Sequence, residues 1–326
     1  MSTELTCRVC HTSLRSRDTG LRTCEDARQL GKYAVYYCDA CGNGFTTPDI
    51  PPSQYELPTD VSTSELNAGT DFLLRWFIRR RVDKLDSLLQ KRKSTLLDVG
   101  GGACAFANAS AERGYSVTVI EPNEKNRAYA DAKKDVRFIS EMFSQDLIDN
   151  GVLKRNSFDA ITMWHALEHT RDPGEALETA HALLKPGGLL FVSVPNFSGL
   201  QARFGRNYWT YLDVPHHLCH FTQVGLLGLI QRSGYSLTRS YRFSIEYDPF
   251  GWYQTLLNVL GRSHNYFYNK TKKHRTDNSY LRYPAWTKAV TAMGPVLLPI
   301  VAILSLMTIV ADSPACVEFA LIKEPR

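Results

Sequence analysis

Short apolar runs, separated by stretches with helical spacing, recur through the middle of the chain. The runs lie at residues 96–99, 116–120, 136–139, 158–163 and 189–194. Apolar runs this short, bounded by glycine, proline and polar residues, are typical of buried strands. The stretch at residues 124–134 is one of the intervening predicted helices. This alternation predicts an α/β fold built on a parallel sheet.

A longer helix is predicted ahead of the first core strand, over residues 71–90. Its apolar residues recur at the spacing of one helix face. Three consecutive arginines, Arg79, Arg80 and Arg81, interrupt this face, and we interpret them as solvent-exposed in preference to a phosphate site. The helix is expected to pack on the sheet just before the first strand.

The C-terminal part of the chain contains a long uncharged segment, residues 289–311. By length alone it can span a bilayer, but Pro295 and Pro299 interrupt it. Residues 316–323 are predicted to return as the last, antiparallel strand of the sheet, which a spanning helix would leave across the membrane from its partner. We therefore predict a hydrophobic helical insertion that lies in the membrane plane. The alternatives are a helical hairpin that covers the substrate site and an interface in a homodimer.

A basic loop with aromatic residues precedes this segment. Its members are Arg262, Lys270, Lys272, Lys273, Arg275 and Arg282, with Tyr266, Phe267 and Tyr268. Because anionic headgroups attract Lys and Arg, residues 262–311 are expected to contact a membrane surface. The formal net charge of the chain is only +5, so nucleic acid is not an expected partner.

The N-terminal sequence and the cysteines bear on location and metal binding. Residues 1–17 are polar and lack the apolar core of a secretory signal. A cytoplasmic protein is therefore expected, peripheral on the cytoplasmic membrane face if the tail binds lipid. In a reducing compartment, paired cysteines indicate a metal site before a disulfide.

Two C-x-x-C pairs lie near the start of the chain. They are Cys7 with Cys10 and Cys38 with Cys41. Four thiolates close a tetrahedral zinc site without an open position, which makes the ion structural. A small zinc ribbon is therefore predicted. A disulfide, chance spacing, and Cys24 or His11 as substitute ligands are the alternatives.

The first core strand ends in a glycine run that is followed by a helical start. Asp98 stands near the end of the strand, and glycines at residues 100–102 let the backbone approach a ligand closely. The next strand leads to Glu121, roughly 20 residues further on, the spacing at which an acid reaches a ribose. The pattern predicts a nucleoside-binding half of an α/β fold. A tight turn is the alternative, and a dinucleotide site fits less well because Ala105 replaces the third glycine.

The same loop resembles motif I of the class I S-adenosylmethionine-dependent methyltransferases. That motif has the form D-x-G-x-G-x-G, and here Cys104 stands in place of the last glycine. Further segments follow in the order and spacing of that family: FDAI (158–161), LEH (167–169), DP (172–173) and LLKPGGLLFVSVPN (183–196). The resemblance is to the methyltransferase-23 or ubiquinone-type O-methyltransferases, and to bacterial envelope and sugar methyltransferases that carry an N-terminal zinc ribbon.

This resemblance implies a Rossmann-like sheet that is parallel except for its last strand. Together with the patterns above, it divides the chain into five parts. They are the zinc ribbon (1–50), a linker with the leading helix (51–95), the cofactor-binding core (96–243), the basic loop with the hydrophobic insertion (244–312) and the last strand (313–326).

The resemblance also implies that S-adenosylmethionine (SAM) is bound at the carboxyl ends of the strands. The residues implied are Asp98, Gly100, Gly101, Gly102, Glu121, Pro122, Trp164 and His165. Glu141 is a candidate for the adenine amino group, with an exposed loop acid as the alternative. Some ubiquinone-type relatives bind a divalent ion through Glu-x-x-Glu-His, and the same positions here read His165, Glu168 and His169. In the alternative, the Glu–His pair only orders the loop.

Three histidines close to an aspartate are the candidates for a catalytic base. Imidazole titrates near neutral pH, as a base for a hydroxyl nucleophile must. His217 is the first candidate and His220 the second, while His216 replaces an arginine usual in the family. Helix capping and structural hydrogen bonds are the alternative roles.

The predicted function is O-methylation of a hydroxyl on a small-molecule, glycan or lipid-linked acceptor. Two other readings stay open. One is an RNA base methyltransferase whose zinc ribbon binds RNA, and the other is a non-catalytic scaffold that keeps the SAM-binding fold.

Overall fold

The computed structural model describes residues 5–14, 17–22, 33–48, 68–89, 94–130, 136–271 and 283–325. Cys24, most of the predicted linker, and four basic residues of the predicted loop (Lys272, Lys273, Arg275 and Arg282) lie outside these ranges. The N-terminal part consists of five short strands. They are β1 (Leu5–Thr6), β2 (Ser13–Leu14), β3 (Arg17–Asp18), β4 (Ala34–Tyr37) and β5 (Gly44–Thr47).

A long helix and the strands of the main sheet follow. The elements are α1 (Ala68–Leu89), β6 (Thr95–Val99), α2 (Ala105–Glu112), β7 (Ser116–Ile120), β8 (Val136–Ile139), α3 (Asp146–Asp149), β9 (Phe158–Trp164), α4 (Pro173–Leu183) and β10 (Leu184–Pro195). The predicted helix at 124–134 is, in its described part, a 3₁₀ helix over Glu124–Tyr129 that ends where Ala130 is extended.

The remaining elements form the C-terminal half. They are α5 (Leu200–Gly205), β11 (Cys219–His220), α6 (Gln223–Arg232), β12 (Tyr235–Tyr241), α7 (Tyr247–Gly261), α8 (Tyr266–Thr271), α9 (Ala285–Ala292), α10 (Leu298–Val310) and β13 (Cys316–Lys323). A 3₁₀ turn, Gly294–Leu297, joins α9 to α10.

Seven strands form the main sheet in the order β12-β13-β10-β9-β6-β7-β8. The pairs from β10 to β8 are parallel, and β13 lies antiparallel between β10 and β12. The predicted α/β fold with a last antiparallel strand is confirmed.

Both faces of this sheet are buried, which explains why its strands are continuous apolar runs. Successive side chains of a strand point to opposite faces. Leu96 and Phe191 pack in one buried cluster, while Leu97 and Val192 pack in the other. The apolar residues of β6 therefore contribute to two apolar layers, whereas a strand buried on one face only would alternate apolar and polar residues.

The N-terminal ribbon is continuous with the core. β11, from the C-terminal half, pairs antiparallel with β5 and completes a second sheet in the order β11-β5-β4-β3. Val9 and Phe45 of the ribbon share a buried apolar cluster with Leu226 and Leu229 of α6. The ribbon thus packs on the C-terminal half of the chain through both backbone pairing and apolar contacts.

Between β12 and β13, the chain forms a helical insertion made of α7 to α10. Among the described residues, no single helix is long and apolar enough to cross a bilayer. The pair Ala285–Ala292 and Gly294–Val310 meets both conditions together, but it is bent by 57°.

Candidate active site

The glycine loop leaves β6 at the carboxyl edge of the main sheet. Gly100 and Gly102 adopt φ values of +72° and +50°, which favour glycine. A Cβ at Gly100 would lie 2.8 Å from the Cβ of Ala166, and one at Gly101 would lie 2.6 Å from Cγ1 of Val119. A Cβ at Gly102 would meet no atom of the described structure within 4 Å. The loop is therefore packed tightly on one side and faces open space at Gly102.

Glu121, at the end of β7, holds this loop from the neighbouring strand. Its carboxylate accepts hydrogen bonds from the backbone N–H of Gly102 at 2.9 Å and of Asn123 at 3.0 Å. Pro122 follows, and its carbonyl accepts a hydrogen bond from Ser140. Glu141 is exposed in the loop after β8. The glycine loop, Glu121 and Pro122 thus lie side by side, and Glu141 lies at the exposed end of this group of predicted cofactor-binding residues.

Asp98 is buried beneath the loop. Its Oδ1 accepts a hydrogen bond of 2.7 Å from the hydroxyl of Thr162 on β9. Burial raises the pKa of Asp98 to about 7, although Thr162 and the charge of Arg81 oppose this shift. A positively charged group near Asp98 would therefore favour its ionised form.

Arg81 on α1 lies beside this buried acid. It forms an ion pair with Glu246, donates a hydrogen bond to the Tyr247 hydroxyl, and lies 5.0 Å from the ring centre of Trp164. The interpretation of Arg81 as part of a solvated face was wrong, whereas Arg79 is exposed. The overlooked signal is its position: Arg81 is three residues after the buried Ile78 and four before the buried Leu85.

Trp164 and His165, at the end of β9, point in different directions. Trp164 is buried against Phe106 and Phe191, so its ring belongs mainly to the core. His165 adopts a φ of +51° and lies at the carboxyl edge of the sheet, where it remains partly exposed. Its ring centre is 4.5 Å from that of Tyr247.

The two ring nitrogens of His165 have different neighbours. Nδ1 lies 3.0 Å from Oε1 of Glu168, and Nε2 lies 3.7 Å from Sγ of Cys316. Burial opposes ionisation of Glu168, but the hydrogen bond and charge of His165 lower its pKa to about 2. A buried carboxylate therefore supports a partly exposed imidazole, an arrangement suited to a general base. The sequence predicts His165 as a residue of the cofactor pocket or as a ligand of a divalent ion, and it gives no indication of the contacts with Tyr247 and Cys316.

A second group of possible metal ligands lies on the other side of Glu168. Ligand atoms of Glu168, His169 and His217 all lie within 4.8 Å of one another. Oε2 of Glu168 is buried and has no hydrogen-bond partner in the described part of the chain. The geometry thus suits a small divalent cation, but with His217 as a ligand where the sequence suggested His165.

The three histidines predicted as bases occupy unequal positions. His217 is 7% exposed and packs edge-on to His169, with its Nε2 4.0 Å from Asp213. Burial lowers its pKa to about 4, so the imidazole is neutral at pH 7. His216, which is more exposed, has Nδ1 3.4 Å from Oδ1 of Asp213.

His220 has a structural position. Its Nε2 is 2.9 Å from the Thr46 hydroxyl in ribbon strand β5, and its ring lies against Phe197. The ring is buried, and burial lowers its pKa to about 3. Backbone pairing of β11 with β5 therefore places His220 at the junction with the ribbon, which favours a structural role for it over that of a base.

The four predicted zinc ligands converge in the ribbon. Cys7 and Cys41 have their sulfur atoms 3.7 Å apart, as do Cys10 and Cys38, and all four sulfurs lie within 4.8 Å of one another. Zinc–sulfur bonds of about 2.3 Å in a tetrahedron place the sulfurs roughly 3.8 Å apart. The donor set therefore fits a zinc ion in both chemistry and spacing.

Comparison with known proteins assigns the central part of the chain to a protein family. The model of the Methyltransf_23 family, described as a methyltransferase domain, matches residues 73–240, slightly more than half of the chain. The chain belongs to this family of class I SAM-dependent methyltransferases.

Several ubiquinone biosynthesis O-methyltransferases are similar in sequence to this methyltransferase. The protein from Caulobacter vibrioides is 35% identical over 107 residues, which cover 31% of this chain and 41% of that protein. The protein from Pseudomonas paraeruginosa is 32% identical over 117 residues, covering 36% of this chain and 50% of that protein. The chain thus matches half or less of the length of these curated relatives.

The fold is similar to that of a solved, proposed sarcosine dimethylglycine methyltransferase from Galdieria sulphuraria. The two share a TM-score of 0.50 and 13% identity, with 82% of this chain and 91% of that chain covered. This comparison supports the fold of the methyltransferase.

The glycine loop of the methyltransferase fits SAM. Gly102 borders open space, and the carboxylate of Glu121 lies against the same loop. By family resemblance, these residues and Asp98 would hold the cofactor, with Glu121 at the ribose. The raised pKa of Asp98 also suits a site for a cation, because the sulfonium and amino group of SAM carry positive charge.

Replacing Glu121 with glutamine is expected to weaken SAM binding about tenfold or more. The change removes a charged acceptor that serves both the ligand and two backbone N–H groups, and such hydrogen bonds are worth about 1.5–3 kcal/mol each. Isothermal titration calorimetry with SAM measures the effect. Glu124→Gln is the matched control, since Glu124 is exposed and pairs with Arg127 on the surface. Equal affinity of the two variants would contradict a role for Glu121.

Proposed function

We propose that this methyltransferase transfers a methyl group to a hydroxyl of a small-molecule, glycan or lipid-linked acceptor, and that His165 removes the hydroxyl proton. The observation that carries the proposal is the contact of His165 with the buried carboxylate of Glu168 at the carboxyl edge of the sheet. Open α/β sheets bind their ligands at this edge. His165 is also partly exposed, whereas His217 and His220 are buried.

The protein residues would act by orientation and by holding one proton. When bound, SAM supplies a methyl group already activated on a sulfonium. The anionic Glu168 favours a proton on Nδ1 of His165, which leaves Nε2 unprotonated. The acceptor hydroxyl would replace the 3.7 Å contact of Nε2 with the Cys316 thiol and donate its proton to this nitrogen. After transfer, Glu168 stabilises the resulting imidazolium through the same 3.0 Å contact. The ring of Tyr247 limits the approach to His165 from one side.

Sequence relatives support oxygen as the methylated atom, since they are named ubiquinone biosynthesis O-methyltransferases. The matched region covers half or less of those proteins, so the acceptor of this chain is proposed from its own features. The strand end Val194-Pro195-Asn196-Phe197 lacks the Asn/Asp-Pro-Pro-aromatic motif that amino-directed enzymes of the family carry. This absence favours a hydroxyl over a nucleobase amino group.

We propose further that the ribbon binds one structural zinc ion through Cys7, Cys10, Cys38 and Cys41. The spacing of the four sulfurs supports this proposal. An ion in such a closed site has no open position for a substrate. Its role would be to keep β5 in place against β11 and so to hold the segment that carries His217.

The proposed function is tested with methyl-labelled SAM and a cell extract separated into lipid, small-molecule, glycan and RNA fractions. Label is expected in one of the first three fractions. His165→Gln is expected to reduce the turnover number about a hundredfold, as removal of a general base does, with SAM affinity changed only a few-fold. His217→Gln is the comparison, and a loss confined to that variant would assign the base to His217. Label in RNA would instead support the RNA methyltransferase, and failure to bind SAM would support a scaffold.

A further inference from the structure

The outer surface of the helical insertion is formed by large apolar side chains. From the C-terminal end of α9 through the 3₁₀ turn and α10, the exposed members are Met293, Val296, Leu298, Ile300, Ile303, Leu306, Met307, Ile309 and Val310. We call these nine residues the apolar face. Ile303 and Leu306 are 59% and 62% exposed, and Val310 is 87% exposed. A contiguous apolar surface of this kind marks an interaction site.

The two polar side chains of α10, Ser305 and Thr308, lie on its inner side. Val301, Ser305 and Thr308 are its buried residues, and the Thr308 hydroxyl accepts a 2.8 Å hydrogen bond from the indole N–H of Trp252. In a helix that borders water, the polar residues face outward and the large apolar residues face the core. The inverted arrangement of α10 indicates that its outer side has an apolar environment.

This surface is attached firmly to the rest of the enzyme. Trp252 and Leu256 of α7 pack in a buried cluster with Val301. Gly294 lies so close to Tyr253 that an added Cβ would be 2.2 Å from the tyrosine hydroxyl oxygen. The apolar face therefore belongs to helices that pack firmly on α7. A frayed helix end would not make such contacts.

The distribution of charge along this part of the sequence favours an anionic lipid surface over a second protein. Residues 289–311 contain no charged residue, whereas residues 262–288 contain seven Lys or Arg and one Asp. Lys288 and Trp286 are exposed at the start of α9, at the border between these regions. Tryptophan prefers the membrane interface, and basic residues are attracted to anionic headgroups.

We infer that α9 and α10 dock the enzyme on an anionic bilayer, with the apolar face inserted among the headgroups and the first part of the acyl chains. The 57° bend between the helices suits insertion along the surface. The chain also returns at once to the sheet, since the backbone N–H of Ala315 donates to Asp248 and β13 begins at Cys316. Both features oppose a path across the bilayer.

The position of α7 connects the bilayer to the methyl-transfer site, a point that rests on the proposed function. Tyr247 at its first turn faces His165, and Trp252, about 7.5 Å further along the helix axis, packs beneath α10. An acceptor with a lipid tail could therefore stay in the bilayer while its hydroxyl reaches His165. Among the proposed acceptor classes, the structure therefore favours a hydroxyl compound with a lipid tail over a free glycan.

The inference is tested by flotation of the 326-residue enzyme with vesicles, which needs no acceptor and no activity. Vesicles of phosphatidylcholine with added phosphatidylglycerol are expected to carry the enzyme to the top of the gradient. The double variant Ile303→Gln/Leu306→Gln is expected to lower the partition coefficient about tenfold, because two inserted side chains are lost. Val224→Gln is the matched control, since Val224 is 82% exposed on α6 and lies outside the apolar face.

The outcomes separate lipid from a second copy of the chain. Circular dichroism and SAM binding equal to wild type would confirm that the double variant is folded. Weaker flotation of the wild-type enzyme with phosphatidylcholine alone would support a contribution of the basic residues next to the apolar face. Wild-type enzyme that stays at the bottom with both vesicle types would overturn the inference, as would equal flotation of wild type and the double variant. A dimer in sedimentation that the double variant dissociates, without any vesicle binding, would assign the apolar face to a second copy.

Discussion

Replacing Cys38 with serine is expected to release the proposed zinc ion, unfold the ribbon and reduce methyl transfer to a small fraction of wild type. Cys38 is fully buried, and its sulfur is 3.7 Å from that of Cys10. Structural zinc contributes about 10 kcal/mol or more to the folding of small metal-binding domains. The ribbon strands are two to four residues long, so their own packing cannot replace this contribution.

Loss of the ribbon structure would affect the proposed base at the carboxyl edge of the main sheet, because hydrogen bonds connect the two. The Thr46 hydroxyl donates to the backbone carbonyl of His217 at 2.7 Å and contacts Nε2 of His220. The next residue, Leu218, donates its backbone N–H to the carbonyl of Glu168 at 2.9 Å. Because Glu168 positions His165, a displaced ribbon strand is expected to disorder the proposed base.

The measurements are metal content by mass spectrometry, thermal unfolding and methyl transfer on the same preparations. Cys219→Ser is the matched control, since Cys219 is also buried, lies in β11 and is not one of the four clustered sulfurs. The control should keep about one zinc per chain. Wild-type enzyme without bound metal, or a Cys38→Ser variant with an unchanged melting curve, would contradict the prediction.

Replacing Arg81 with methionine is expected to lower the free energy of unfolding by about 3–5 kcal/mol, the range for removing one partner of a buried ion pair. The side chains of Arg81 and Glu246 are each only 18% exposed. Without the guanidinium, the largely buried carboxylate of Glu246 would lose its charged partner. Asp98 would also lose a nearby positive charge that lowers its pKa, so more of it would be protonated at neutral pH. SAM affinity is therefore expected to fall as well.

Urea unfolding followed by circular dichroism measures the stability, and calorimetry measures SAM affinity. Arg79→Met is the control on the same helix, because Arg79 is exposed and should change stability by less than about 0.5 kcal/mol. The double variant Arg81→Met/Glu246→Leu should recover most of the stability, since an apolar pair can replace a buried ion pair. Equal midpoints for Arg81→Met and Arg79→Met would show that the pair does not stabilise the fold.

The Cys38→Ser and Arg81→Met variants test the two groups of contacts that hold the carboxyl edge of the main sheet around His165. The ribbon holds the loop after β9 from one side through Thr46 and Leu218. Arg81 holds the first turn of α7 from the other side through Glu246 and Tyr247. His165 lies between these attachments, in contact with Glu168 and Tyr247. Both variants should therefore affect methyl transfer, although neither residue touches the reacting atoms.

Features that depend on a few consecutive residues could be predicted from the amino-acid order alone. The buried strands follow from continuous apolar runs, and the glycine loop follows from backbone angles that favour glycine at Gly100 and Gly102. The return of residues 316–323 as an antiparallel strand was also predicted and is confirmed. In each case the requirement is local: a strand buried on both faces has to be apolar throughout, and a positive φ has to be occupied by a residue that tolerates it.

Roles that depend on distant partners were decided by tertiary packing. Arg81 meets Glu246, 165 positions away, and His220 meets Thr46, 174 positions away. The helical spacing of Arg81 indicated an inward position but not its partner, and nothing in the neighbouring residues distinguishes a structural histidine from a base. The apolar content of α10 was likewise visible in its sequence, but the side that packs on α7 was not. Only the folded chain places Ser305 and Thr308 inward and Ile303 and Leu306 outward, because the hydrogen bond from Trp252 orients the helix.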